Sequence, residues 1–201
     1  MKPELIVIGA SAGGIPAIRD ILSRLNPSFE TPIAVVQHLP AHAKMHLAAS
    51  FGRFTYLKLC EIDDKMPIKS GTVYFAPPGY HLLVEKEKCF SLSVDEPVHF
   101  SRPSIDVFFE SAASVYGSSL VGVLLTGANE DGAHGLYQIY RNHGQTIVQD
   151  PATAQLEAMP KAALKKFNPH FVGSLSEIAA VLNQLGANER RRFEDQNFDR
   201  R

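Results

Sequence analysis

The sequence predicts an α/β protein: a doubly wound, mostly parallel sheet with helices on both faces, Rossmann-like, plus a small antiparallel hairpin. Three observations carry this. Short apolar runs rich in Val, Ile and Leu alternate with amphipathic segments, as in strands buried on both faces and joined through helices. A glycine-rich turn, Gly9-Ala10-Ser11-Ala12-Gly13-Gly14, links the first such strand to a helix. Short β-rich runs separated by turn residues occupy the middle of the chain.

The elements follow in order. Leu5–Ile8 reads as a buried strand and Ile15–Leu25 as a helix, with Pro16 in its first turn and Asn26-Pro27 ending it. Ile33–Val36 is a second buried strand, and His42–Phe51 a short helix. Thr72–Phe75, Leu82–Val84 and Phe90–Val94 are expected to form a hairpin or small antiparallel patch. In Ser104–Tyr116, Ile105, Phe108, Phe109 and Ala112 fall on one helical face, and Ser101-Arg102-Pro103-Ser104 supplies a cap. Leu120–Leu125 and Thr146–Gln149 are strands; Gly132–Arg141, Pro160–Phe167 and Ser174–Leu185 are helices. No internal repeat is evident. The charged stretch Ala187–Arg201 is poor in aliphatic residues and is expected to be a flexible tail, which leaves residues 1–186 as one domain.

Composition narrows the function. The chain has 201 residues, enough for one substantial core, with 45% hydrophobic and 20% charged residues. A net charge of −1 provides no basic field for nucleic acid. Cys60 and Cys89 lack C-x-x-C spacing and suit a reducing compartment. Met1-Lys2-Pro3-Glu4 leads into the first strand without a signal-peptide pattern, and no apolar run approaches the roughly 18–20 residues of a membrane span. A cytoplasmic location without membrane insertion is expected. No pair among the eight histidines forms an H-E-x-x-H motif, so no metal site is expected; no cofactor is expected either.

In open α/β sheets, ligands bind outside the carboxyl ends of the strands. Three strand ends carry Ser11, His38 (in Gln37-His38-Leu39-Pro40) and Asp131 (in Thr126-Gly127-Ala128-Asn129-Glu130-Asp131-Gly132). A serine hydroxyl is a weak nucleophile without a base, and a carboxylate orients that base, so the set suits Ser-His-Asp chemistry. The glycines permit a sharp turn, and the following helix terminus offers free N–H groups and partial positive charge to an oxyanion. Taken singly, each residue has a structural alternative. Ser11 could be a turn residue, His38 could satisfy a backbone group, and Asp131 before Gly132 could cap the next helix. The chain order Ser, His, Asp differs from the α/β-hydrolase order Ser, Asp, His.

At these residues the chain resembles the catalytic domain of the chemotaxis protein-glutamate methylesterases, the CheB family. The resemblance runs from about Leu5 to Leu185. It rests on Ile8-Gly9-Ala10-Ser11-Ala12-Gly13-Gly14, Gln37-His38-Leu39-Pro40, Tyr74-Phe75-Ala76-Pro77-Pro78-Gly79-Tyr80-His81-Leu82 and Ser101-Arg102-Pro103-Ser104-Ile105-Asp106-Val107-Phe108-Phe109. It continues through Leu125-Thr126-Gly127, Asp131-Gly132-Ala133-His134-Gly135-Leu136, Gly144-Gln145-Thr146-Ile147-Val148-Gln149-Asp150 and Ala158-Met159-Pro160. The resemblance implies Ser11 as nucleophile, His38 as base and Asp131 as acid, with the Ala12 N–H in the oxyanion hole. It implies hydrolysis of glutamate methyl esters on chemoreceptor cytoplasmic helices and deamidation of receptor glutamines. Methylated chemoreceptors are then the partners, with a receptor methyltransferase or response regulator as further ones. Two positions depart from the family pattern: Ala12 replaces Thr or Ser, and Ala128 stands where a methionine lines the site. Arg102 is a supporting candidate that could reach a carboxylate or the receptor backbone; its alternative is pairing with an acid at a helix start. His81 and Met159 are assigned to packing around the site. Family members usually carry a receiver domain as well; this sequence is expected to be the catalytic domain only.

Rival readings have distinguishing marks. A dinucleotide-binding domain expects an acidic residue ending the second strand, where Val36-Gln37-His38 stands. A non-catalytic partner-binding module would keep the fold without needing Ser11, His38 and Asp131. A general cytoplasmic esterase would turn over small soluble esters.

Overall fold

The computed structural model describes residues 2–39, 47–98 and 100–186. Its elements are β1 (Leu5–Ala10), α1 (Gly14–Arg24), β2 (Ile33–Gln37), α2 (Leu47–Phe51), β3 (Lys58–Glu61), β4 (Thr72–Phe75), β5 (His81–Val84) and β6 (Phe90–Ser93). There follow α3 (Ile105–Tyr116), β7 (Leu120–Leu124), α4 (Ala133–Arg141), β8 (Gln145–Gln149), α5 (Ala158–Lys166), β9 (Phe171–Gly173) and α6 (Leu175–Gly186). Seven strands form one sheet in the order β3-β4-β2-β1-β7-β8-β9, and β5-β6 form a separate pair. Every pairing in the large sheet is parallel, and β5-β6 is antiparallel.

The alternation along β1 shows why it reads as one apolar run. Leu5 and Val7 join a core with Phe108, Phe109, Leu136 and Ala163 of α3, α4 and α5. Ile6 and Ile8 join the opposite core with Ile18, Ile21, Ile178 and Leu182 of α1 and α6. Successive strand residues point to opposite faces, so a strand sandwiched between two helical layers is apolar at every position. The chain proceeds from β1 outward to β2 and later returns to place β7 on the other side. Strand order therefore reverses beside β1, and that crevice at the carboxyl ends is where such sheets bind ligands.

The doubly wound sheet and the hairpin are as the sequence predicts. Three details differ. Thr72–Phe75 is no part of the antiparallel patch: it is β4, paired parallel with both β2 and β3 and buried at all four residues. A short apolar run bounded by turns carries no record of its partner, and its full burial fits only the large sheet. The sequence reading also lacks β3 and β9, edge strands of four and three residues that are not fully buried. Of the expected helix His42–Phe51, Leu47–Phe51 is helical; residues 42–46 lie outside the described residues, as does the expected tail 187–201. No helix among the described residues is long and apolar enough to cross a membrane.

Helices α3 and α4 approach closely because residue 135 has no side chain. A Cβ at Gly135 would stand 2.6 Å from Phe109 Cβ and 2.8 Å from the Asp106 carbonyl oxygen. The backbone of α3 cannot yield without disturbing the core, so Gly135→Ala should destabilise the protein by about 1–3 kcal/mol. Gly52→Ala is the control: its Cβ would meet nothing nearer than 3.7 Å, and its effect should stay within about 0.5 kcal/mol. Urea denaturation of both variants checks the pair.

Candidate active site

The site is assembled by strand register. Ala10 of β1 pairs with Gln37 of β2, so Ser11 and His38 leave adjacent strands at matched positions. The next rung survives beyond the strands: the His38 N–H donates to the Ala10 carbonyl at 3.0 Å. Adjacent strands lie about 4.8 Å apart, so this register holds the two residues side by side. On the other flank the Ser11 N–H donates to the Thr126 carbonyl at 3.0 Å, tying the serine to the chain leaving β7.

The turn after Ser11 closes tightly. The Gly14 N–H donates to the Ser11 carbonyl at 2.8 Å, and Gly13 adopts φ +80° as the N-cap of α1. That left-handed conformation favours glycine. The Gln155 side chain lies where a Gly13 Cβ would project, at 2.7 Å. Ser11 is half-buried and its Oγ has no hydrogen-bond partner among the described residues. The Ala12 N–H is likewise unpaired among them.

His38 and Asp131 meet directly. His38 Nε2 lies 2.8 Å from Asp131 Oδ2; the imidazole side chain is 11% exposed and the carboxylate fully buried. A carboxylate only accepts, so Nε2 carries the proton and Nδ1 is the nitrogen left free to take one. Asp131 Oδ2 also accepts from the Ile105 N–H at 2.7 Å, while Oδ1 accepts from Ser104 Oγ at 2.8 Å and the Asp106 N–H at 3.0 Å. Burial pushes the Asp131 pKa up, but the His38 bond and the amides of Asp106 and Ile105 together outweigh it and hold the carboxyl below its ordinary value.

Asp131 is therefore a helix cap, though for a helix the sequence did not suggest. Helix α4, which follows it, has Gly132 as its N-cap residue, in a left-handed conformation and with no side chain of its own to cap the helix. Asp131 instead occupies the N-terminus of α3. The exchange is mutual: Asp106 of α3 accepts from the N–H groups of Gly132 at 2.8 Å and Gly135 at 2.6 Å, at the start of α4.

Arg102 directs its donors to main-chain carbonyls of its own chain. Its Nη1 donates to the carbonyls of Val94 at 2.7 Å and Asp95 at 2.9 Å, pinning the segment after β6. It also lines a cavity of about 220 Å³ with His38, Leu39, Pro97, Phe100 and Pro103. Ala128 lies in a groove of about 910 Å³ between α4 and α5, with Asn129, Lys161 and Lys165. His81 is buried and fixed at both ring nitrogens: Nδ1 accepts from the Ser104 N–H at 3.2 Å and Nε2 donates to the Glu96 carbonyl at 3.0 Å. Met159 fills the space above Gly127.

The sequence profile of the CheB methylesterases matches residues 6–182. The chain belongs to the CheB methylesterase family. Among relatives, a Leptospira interrogans protein to which protein-glutamate methylesterase and protein-glutamine glutaminase activities are provisionally ascribed is 48% identical, over 94% of this chain and 97% of its own length. Protein-glutamate methylesterase/protein-glutamine glutaminase 1 of Carboxydothermus hydrogenoformans is 38% identical, over 92% of this chain and 55% of its own. The chain thus spans nearly all of one relative and about half of the other. The CheB methylesterase catalytic domain of Thermotoga maritima superposes with a TM-score of 0.86 at 30% identity, covering 92% of this chain and all of that one.

Two residues of this CheB-family site escaped the sequence reading. Thr126 joins three segments: its N–H donates to Gln149 Oε1 at 2.9 Å, and its Oγ1 donates to the Ala12 carbonyl at 3.0 Å and accepts from the Leu156 N–H at 2.9 Å. Asp106 is the other, and nothing local to it in the sequence announces that α4 begins against it. The lowered pKa of Asp131 gives a test. A carboxyl held below its unfolded value stabilises the fold above about pH 4, and that stability is lost as pH falls through the lowered value. Asp131→Asn should cost about 1–3 kcal/mol at neutral pH, with the gap to wild type narrowing on acidification. Urea titrations stepped downward from pH 7 check it; a gap independent of pH contradicts the electrostatic account.

Proposed function

We propose that the chain is a serine protein-glutamate methylesterase whose nucleophile, base and orienting acid are Ser11, His38 and Asp131. The observation that carries the reading is the His38–Asp131 bond of 2.8 Å, set beside an unpaired serine hydroxyl at a matched strand end. On this reading residues 1–186 are the catalytic unit, working in the cytoplasm on the glutamate methyl esters of chemoreceptor helices.

The chemistry follows from the geometry. Ser11 Oγ attacks the ester carbonyl carbon while its proton passes to His38 Nδ1, the ring nitrogen not held by Asp131. The buried carboxylate keeps the imidazole oriented and stabilises the imidazolium. The tetrahedral oxyanion is met by the Ala12 N–H at the start of α1, where the helix terminus adds favourable potential. Collapse breaks the C–O bond, and methanol leaves with the proton from His38. Water then attacks the acyl-enzyme with His38 again as base, releasing glutamate and restoring Ser11. A glutamine substrate follows the same path with ammonia leaving. Ala12 and Ala128 retain their backbone N–H groups, so both departures act on pocket shape rather than on this route.

Methanol release from a methylated chemoreceptor is the test. Ser11→Ala should abolish it without unfolding the protein, and His38→Gln should be nearly as damaging, each by a factor on the order of 10⁴ or more. Asp131→Asn should lose less than either. Turnover by Ser11→Ala at the wild-type rate, or none from folded wild type, overturns the reading.

A further inference from the structure

Gln37 ends β2 and stands between the two strand-end residues of the proposed chemistry. Its side chain is buried, at 4% exposure for the residue. Its Nε2 donates twice, to the Ser11 carbonyl at 2.8 Å and to the His38 carbonyl at 2.9 Å. Those carbonyls belong to the peptide planes that follow the nucleophile and the base. A peptide unit is rigid and trans, so fixing its carbonyl fixes the opposite direction of its N–H. In the Ser11–Ala12 plane that N–H is Ala12's. The Ser11 carbonyl is gripped on two sides, by Gln37 Nε2 and by the Gly14 N–H at 2.8 Å.

The arrangement carries a visible penalty. Gln37 Oε1 is buried with no hydrogen-bond partner among the described residues. It rests against Gly14, where a Cβ would overlap it. Turning the amide over would not help, because the oxygen would then face two carbonyls. A buried polar atom left unpaired is unfavourable, and an apolar side chain would fill this space without it. The glutamine is explained by what its nitrogen holds.

We propose that Gln37 is a positioning residue for acyl transfer: it aims the Ala12 N–H at the oxyanion and locks that peptide to the one carrying His38. The inference rests on the methylesterase reading above and adds to it the residue that aligns the oxyanion donor with the base. Substrate binding is outside its reach, since its side chain is enclosed. Its loss should therefore appear in the chemical step alone.

The test is Gln37→Met, compared with wild type on a methylated receptor segment. The expected result is a kcat lower by about tenfold to a hundredfold, the scale of a misplaced catalytic group, with KM unchanged within about twofold. Inhibition by a glutamyl trifluoromethyl ketone, which Ser11 converts to a tetrahedral adduct, should weaken by the same factor as kcat. A merely structural role would lower the thermal midpoint and leave that parallel absent. Gln37→Glu, which keeps every heavy-atom position but not the paired donors, is the second variant should the methionine variant not fold, and its kcat should fall likewise. Wild-type kcat in a folded Gln37 variant, or a loss confined to KM, overturns the inference while leaving the methylesterase reading intact. Wild-type protein that neither releases methanol nor binds the ketone fails the underlying reading instead.

Discussion

The structure turns on a buried carboxylate. Asp131 is removed from water, and an isolated charge there would be prohibitively costly. Its charge is sustained by Ser104 Oγ and two amides at the start of α3, with His38 as the remaining donor. The positive end of the helix adds to this. Asp106 returns the arrangement on α4, and the missing side chain at Gly135 lets the two helices come near enough for both contacts. The start of α3 is thus completed by an acid from the loop before α4, and the start of α4 by an acid from α3. Helix packing, helix capping and the orientation of the imidazole form one linked set of contacts.

A second linkage binds the serine side. Thr126 gathers the elbow, the last residue of β8 and the segment before α5 through its carbonyl, amide and hydroxyl. The elbow's conformation is consequently set from outside itself. Gln37 grips it from β2 and Thr126 from just beyond β7, so the turn is held on both flanks by neighbours positioned by the sheet. This is how a short glycine-rich loop acquires the rigidity of a parallel sheet.

Much of this was legible in the sequence, and the rest was hidden for definable reasons. The placement of Ser11, His38 and Asp131 beyond strand ends could be read because strand-to-helix alternation marks the carboxyl ends of strands. Spacing along the chain likewise marked α3 and its Ser104 cap. What could not be read were contacts between distant segments. Thr72–Phe75 carries no sign of lying between β2 and β3, and two short, partly exposed edge strands have too weak a pattern to register. Asp131 looked like a cap for the helix beginning one residue later, but the chain folds it onto one beginning more than twenty residues earlier. The hold of Arg102 on the Val94 and Asp95 carbonyls is likewise a contact that no local spacing marks.

The pairing of His38 Nε2 with the carboxylate has a mechanical consequence. Of the two ring nitrogens, Nδ1 lies nearer the main chain, separated from Cβ by one ring carbon. A proton acceptor so close to its pivot has a short lever arm: rotation of the side chain moves it little, and displacement of the backbone moves it almost one for one. On the mechanism proposed above, the accuracy of the base is then inherited from the end of β2 rather than from the side chain's own torsions. Stiffness in that stretch of strand becomes tolerance in the chemistry, and any force that shifts it by a fraction of an ångström is felt at the reacting proton.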